Sequence, residues 1–297
     1  MQLEVKFPMI RSIAFTKMSG AGNDFIVIDN LDGSIDFDKS RLAVALCSRL
    51  NGIGADGLLL MEPSAHADFF MRYHNADGSY GGMCGNGGRC IARYAYLAGL
   101  TSVHTKFEAL DFVYAAEVSG PSVKLWMKAP NDIRLNLLVE SKDKKFSGHY
   151  IDTGSPHFVL QTADLDAADV VHIGSEIRYH RMIAPEGCNV NFVSLKACGV
   201  LSIRTYERGV EAETLACGTG SVASAIVFAS QYGLKSPVTL DVRSGEQLLV
   251  YFDFQDGEYR NVVLEGSAHM IFSGRIEYDP QTGRIVDPLI LTSAKNL

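Results

Sequence analysis

Met83-Cys84-Gly85-Asn86-Gly87-Gly88-Arg89-Cys90 sets a thiol at the mouth of a glycine turn that opens a predicted helix, from about Asn86 to Gly99. The glycines keep side chains clear of the turn. The first backbone N–H groups of the helix, which have no partner inside it, can then point outward and hold an anion. The helix dipole favours negative charge at the same place, so a thiolate-forming cysteine is expected. A second copy, Ala216-Cys217-Gly218-Thr219-Gly220-Ser221, again places Cys-Gly-x-Gly ahead of small and apolar residues, Val222 to Ser230, within a predicted helix from about Thr219 to Tyr232. One cysteine in a glycine loop is more often packed than catalytic. Two in matched settings reverse that balance.

Outward from the first copy, Ile13 to Met18 and Phe25 to Asp29 read as strands joined by the tight turn Ser19-Gly20-Ala21-Gly22-Asn23. Asp38 to Leu50 has helical apolar spacing, with Asp38 or Ser40 as cap, and carries Cys47 on its core side. Strands follow at Leu58 to Met61 and Asp68 to His74, and Asn75-Ala76-Asp77-Gly78-Ser79 turns the chain toward Cys84. Further strands are read at Lys106 to Leu110, Phe112 to Val118 and Val123 to Met127, then a link at Lys128 to Asp132. Lys142 to Ser147 reads as an exposed polar loop.

The second half repeats the plan, with strands at Tyr150 to Thr153 and Phe158 to Gln161, a helix near Leu165 to His172, and strands at Val190 to Leu195 and Val200 to Tyr206. Late strands at Val238 to Val242, Gln247 to Phe254, Asn261 to Glu265 and Ala268 to Phe272 follow the second cysteine helix. Two similar domains are expected, residues 1–128, completed by 275–297, and residues 129–274, with their cysteine-bearing helix starts at a cleft between them.

The 297-residue chain has a formal net charge of −7 and no basic cluster, which argues against nucleic-acid binding. No run approaches a membrane span, and Met1 to Ile10 lacks the apolar core of a signal peptide. Six cysteines without such a signal do not make a disulfide framework, so a reducing cytoplasm is the expected location. Cys84 and Cys90 lack the spacing of metal ligands, and no metal is expected.

Two thiols on opposite faces of one carbon suit proton removal and return with inversion. The α-proton of an amino acid is very weakly acidic, so the developing carboxylate charge needs strong stabilisation. Helix N–H donors in a water-excluded site supply it at about 3 kcal/mol each, and a base matched to the working pH adds less.

Taken together, these segments resemble the diaminopimelate epimerase family. The resemblance rests on Asn75 to Ser79 before the Cys84 segment, and on Glu207-Arg208-Gly209 before Glu213-Thr214-Leu215-Ala216-Cys217-Gly218-Thr219-Gly220. Further blocks agree in the same order: Lys17 to Phe25, Gly52 to Gly57, Gly154-Ser155-Pro156-His157 and Asn189-Val190-Asn191-Phe192. It implies an α/β (α+β) fold of two pseudo-symmetric domains, each a mostly antiparallel strand barrel around a central helix, with the active site in the cleft. It also implies conversion of LL- to meso-diaminopimelate, in lysine and peptidoglycan synthesis, without pyridoxal phosphate, metal or other cofactor. By the same resemblance Cys84 and Cys217 are the base and acid, and His157 and Glu207 tune the thiols and position the reacting amino group. Asn23, Asn75, Asn189 and Arg208 hold the substrate, and Gly85, Asn86, Gly218 and Thr219 offer N–H groups to the reacting carboxylate. A homodimer is expected on the same ground.

The sequence departs from the family pattern at Ser155, where an asparagine is usual, at Ser19 and Ala21, and at Glu211-Ala212, which lengthens the approach to Cys217 by one residue. A water bridge could replace the missing reach of Ser155. The nearest rival is a proline or hydroxyproline racemase of the same fold, which would not need Asn75, Asn189 and Arg208 together. A rival of another class is a thiol-redox protein in which Cys84 and Cys217 form a reversible disulfide.

Overall fold

The structure is a computed structural model that describes residues 10–141, 144–180, 183 and 186–287. The described residues fold into two compact units, 10–19, 23–113 and 269–287 in the first, and 20–22 with those between 114 and 268 in the second.

The first unit begins with β1 (Arg11–Gly20) and β2 (Asn23–Asp29), followed by α1 (Lys39–Cys47), β3 (Gly57–Glu62), β4 (Phe69–Asn75), α2 (Gly85–Leu97) and β5 (His104–Ala109). β2 runs parallel to β3, β3 antiparallel to β4, and β4 parallel to β5. Parallel neighbours need a crossover, and α1 and α2 provide the two required here. Ile26, Ile28, Leu58 and Leu60 share a core with Leu42 and Leu46 of α1. Phe25 and Leu59 point the other way, against Gly87 of α2. With both faces covered, Phe25 to Ile28 and Leu58 to Met61 need no polar side, which is why they read as unbroken apolar runs.

The second unit carries β6 (Phe112–Ser119), β7 (Ser122–Trp126), β8 (Asn131–Ser141), β9 (Lys144–Asp152), β10 (Pro156–Gln161), α3 (Val170–Arg178), β11 (Asn189–Leu195), β12 (Leu201–Glu207) and β13 (Ala212–Thr214). Then come α4 (Gly218–Tyr232), β14 (Val238–Asp241), β15 (Gln247–Gln255) and β16 (Glu258–Ser267). The pairing pattern of the first unit recurs: β10 is parallel to β11, β11 antiparallel to β12, and β12 parallel to β14, with α3 and α4 as crossovers. β14, β15, β16 and β7 extend the ladder with antiparallel pairs. α4 packs against β9 to β12 and β14 to β16, and its residues Ser221 to Ala229 are all buried. A helix apolar on every side has to be interior, and each fully buried Ile or Phe in it contributes about 2 kcal/mol. The chain ends its described course in the first unit, where β17 (His269–Asp279) pairs antiparallel with β1 and β18 (Arg284–Ile285) covers the end of β17. The protein is therefore a mixed α/β protein, mostly strand, made of two units of repeated topology.

Several boundaries differ from the sequence reading. Lys128 to Asp132 is not a free link, because β8 starts at Asn131 within the second unit. The expected loop Lys142 to Ser147 is strand β9 from Lys144, and residues 142 and 143 lie outside the described residues. The polar residues there sit on a hairpin whose outer side is wet, with an exposed Lys145–Glu140 ion pair at 2.6 Å. The helix expected near Leu165 to His172 starts only at Val170, after Asp169 accepts the His172 N–H at 3.2 Å. The carbonyls of Leu165, Asp166 and Ala168 are taken instead by the Arg204 guanidinium.

One polar cluster fixes the start of the first unit's central pair. Asp24 and Asp56 exchange backbone N–H contacts at 3.2 and 3.0 Å, Arg49 bridges both carboxylates, and buried Lys17 pairs with Asp24 at 2.7 Å and donates to the Gly54 carbonyl. Burial alone would raise the Asp24 pKa, but hydrogen bonds and charge from Arg49 and Lys17 outweigh it, to about 2 against 3.8 for a free aspartate. A lowered carboxyl pKa adds stability that is complete above the unfolded value and is lost as pH falls through the folded one. Urea titration should therefore show stability falling between about pH 4 and pH 2. Asp24→Asn should remove Asp24's share of that acid-dependent fall. It should also cost about 3 kcal/mol at neutral pH, because it leaves Lys17 buried without its counter-charge.

Candidate active site

Cys84 and Cys217 are the N-cap residues of α2 and α4, in nearly identical extended backbone at φ −122°, ψ 122° and φ −123°, ψ 114°. Neither helix has a side-chain cap or an acidic residue in its first turn. The first helical bonds run from Gly88 N to Cys84 O at 2.7 Å and from Ser221 N to Cys217 O at 2.9 Å. The earlier N–H groups of each helix, those of Gly85 and Asn86 and of Gly218 and Thr219, are thus left to an outside acceptor, and both dipoles favour an anion. Gly220 is needed for close approach: a Cβ there would stand 2.4 Å from the Asn191 Oδ1.

In the first unit, Asn23 donates to Asp56 at 2.9 Å and accepts from the Asn86 side chain at 2.7 Å, and Asn86 accepts from fully buried Arg89 at 2.9 Å. This chain ties the start of α2 to the entry of β2 and β3. Asn75 ends β4 opposite Gly57, and its side chain donates to Ser79 at 2.9 Å inside the following turn.

In the second unit, strand register does the assembly. His157 pairs with Asn189 across the parallel β10–β11 ladder, and Val190 pairs with Tyr206 across β11–β12, so Glu207 and Arg208 arrive beside Asn189. Asn189 donates to the Ser155 Oγ at 3.0 Å and the Pro156 carbonyl at 3.2 Å, and accepts the Arg208 N–H at 2.8 Å. It fastens both flanking segments, the one that carries Ser155 included. Glu207 accepts from Thr214 at 2.8 Å, and Thr219 Oγ1 lies 3.5 Å from the Cys217 sulfur. The Arg208 turn is braced by Glu211, which accepts from Gly209 N and from the guanidinium of buried Arg178, both at 3.0 Å. The extra residue in this approach is therefore part of a clamp, with Glu211 itself at φ +56°.

His157 is completely buried. Burial first, and the positive charge of Arg208 second, push its pKa down to about 3, so the ring is neutral near pH 7. Its Nδ1 faces the Asn191 amide nitrogen at 3.1 Å, and the Asn191 oxygen accepts from Thr205 at 2.9 Å. Its Nε2 has no hydrogen-bond partner among the described residues. Cys47 and Cys188, in contrast, are buried thiols pushed up to about 12 by desolvation, which makes them inert.

Asn191 and Thr205, which complete this network, were not singled out from the sequence. The signal was there: with period two, Asn189 and Asn191 share one face of β11 while Val190 and Phe192 sit in the α3 core. Polar residues alternating with buried apolar ones in a two-sided strand mark a face that meets something other than oil. Among the described residues, no group of three or more His, Cys, Asp or Glu could hold a metal, and no helix is long and apolar enough to cross a membrane.

Comparison with known proteins agrees with these features. The model of the family described as diaminopimelate epimerase matches residues 15–124 and 149–271. The diaminopimelate epimerase of Chlorobaculum tepidum is 48% identical over 263 residues, covering 87% of this chain and 99% of that protein. Those of Aquifex aeolicus and Archaeoglobus fulgidus are 39% and 40% identical, each over 88% of this chain and 97% and 95% of their own. Among solved structures, a PhzF-family phenazine biosynthesis protein of Bacillus anthracis has a TM-score of 0.69 at 14% identity, covering 89% of this chain and 99% of that one. A probable proline racemase of Agrobacterium radiobacter has a TM-score of 0.68 at 14% identity, covering 92% and 96%. At that identity the likeness concerns the fold alone, whereas the sequence matches extend over nearly the whole chain and carry both cysteine segments, so this chain belongs to the diaminopimelate epimerase family.

Proposed function

We propose that the protein is an isomerase that interconverts LL- and meso-diaminopimelate by two-base chemistry at one α-carbon. The observation that carries this reading is the matched pair of uncapped, cysteine-headed helix starts in two units of repeated topology, in a chain of this family. The thiolate of one cysteine takes the α-proton, and the thiol of the other delivers its own proton to the opposite face, so the two sulfurs exchange protonation states in each turnover. Cys84 serves the L-configured carbon. The N–H groups of Gly85, Asn86, Gly218 and Thr219 stabilise the charge that develops on the reacting carboxylate. Glu207 and His157 attend the amino group and the thiols, while Asn23, Asn75, Asn189 and Arg208 hold the remainder of the substrate, with Arg208 as the fork for the remote carboxylate. The reaction belongs to lysine and cell-wall precursor synthesis, in the cytoplasm, and the working form is a homodimer.

Incubation with LL-diaminopimelate in heavy water under reducing conditions should yield the meso isomer carrying deuterium at one α-carbon. Absence of both exchange and isomerisation, or faster exchange with proline than with diaminopimelate, would refute the assignment.

A further inference from the structure

We infer that Thr205 and Asn191 lock His157 as the Nε2–H tautomer, so that its ring serves the site as a neutral hydrogen-bond donor to an anion. This rests on the reading of the site given above. The three side chains form a directed relay on one face of β10, β11 and β12. The Thr205 hydroxyl donates to Asn191 Oδ1 at 2.9 Å, and Asn191 Nδ2 faces His157 Nδ1 at 3.1 Å, with the Phe158 carbonyl at 3.5 Å on the same side. A flipped amide would turn its oxygen toward that carbonyl, so the carbonyl fixes the nitrogen on the histidine side. An amide N–H can only donate, so Nδ1 accepts and the single ring proton sits on Nε2. None of the three side chains can be reoriented by solvent, since all are buried to 2% exposure or less.

The remaining Nε2–H is buried and has no acceptor among the described residues, which is costly unless a ligand or a reacting group supplies one. An ammonium has no lone pair to give it. A carboxylate or a thiolate does. His157 therefore donates to an anion, the substrate's reacting carboxylate or a cysteine thiolate, and the amino group is left to Glu207. Asn191 and Thr205 are positioning residues that act through His157.

The test uses the whole protein labelled with 15N-histidine, with the His157 signals assigned by their loss in His157→Gln. At neutral pH the long-range 1H–15N spectrum should show Nε2 protonated and Nδ1 bare. Asn191→Asp, which offers Nδ1 an acceptor in place of a donor, should move a proton onto Nδ1. Thr205→Val should blur the tautomer preference and lower kcat about tenfold with KM within about twofold, and Thr205→Ser should restore both. Nδ1 protonated in the unaltered protein, or Thr205→Val leaving both the spectrum and kcat unchanged, would overturn the inference. The spectrum answers whether or not diaminopimelate proves to be the substrate, so failure of the assigned reaction and failure of the relay are told apart.

Discussion

Cys84→Ala and Cys217→Ala should each lower kcat for epimerisation of diaminopimelate by about 10⁴-fold, with KM changed little. On the proposed mechanism each sulfur takes part in the transition state and neither is needed to hold the ground state, so the loss should fall on kcat. The two act as a unit, and the double variant should be no more than about tenfold worse than either single one. Serine at either position should rescue poorly, because a hydroxyl is a far weaker acid than a thiol and only the thiolate is a useful base near neutral pH. Retention of more than about a tenth of the activity by either alanine variant would remove that cysteine from the proton transfers. Cys47→Ala and Cys188→Ala are the matched controls, since both thiols are buried in apolar surroundings and held in the neutral form.

Arg208→Met should lower kcat/KM by about 10²- to 10³-fold, chiefly through KM. The Arg208 backbone is pinned by Asn189 and its turn by Glu211, yet its guanidinium forms no hydrogen bond or ion pair among the described residues, so on the proposed reading the fork is available to a ligand carboxylate. Two charge-assisted hydrogen bonds at about 1.5 to 2 kcal/mol each give a loss of that size. Arg208→Lys should recover only part of it, because an ammonium cannot match both carboxylate oxygens at once. A second effect accompanies the first. Arg208's charge helps depress the His157 pKa, so its removal should raise that pKa, although burial, the larger cause, remains. An Arg208→Met enzyme with unchanged KM would refute the carboxylate role.

The elements most legible in the sequence are those whose burial is one-sided or total. α4 shows as an apolar block from Val222 because every side of it is interior, and α1 shows as a periodic stripe with Asp38 at its start. Both cysteines lie at helix starts, where the flanking glycines placed them. β8 and the start of β9 were not legible, because their outer residues are lysines, glutamate and serine whose strand form depends on pairing with each other. α3 was displaced because Leu165 to Ala168 looks helical by spacing alone, and only Arg204, 36 to 39 residues away, claims those carbonyls. The polar relay on His157 was hidden for the same reason. Thr205, Asn191 and His157 are brought together by register, and a linear reading sees each only among its own neighbours.

The return of β17 to β1 bears on how the polypeptide is made. Thr16 and Ser273 share a hydrogen bond across a sequence separation of 257 residues, so the first unit lacks its outer strand until the chain has been made as far as β17. The second unit is nearly contiguous, from Tyr114 to Ala268, and has all its own ladder partners earlier. The half encoded later should thus mature first on the ribosome, while the half encoded earlier waits with the β1 edge open, exposed meanwhile to chaperones and to mispairing.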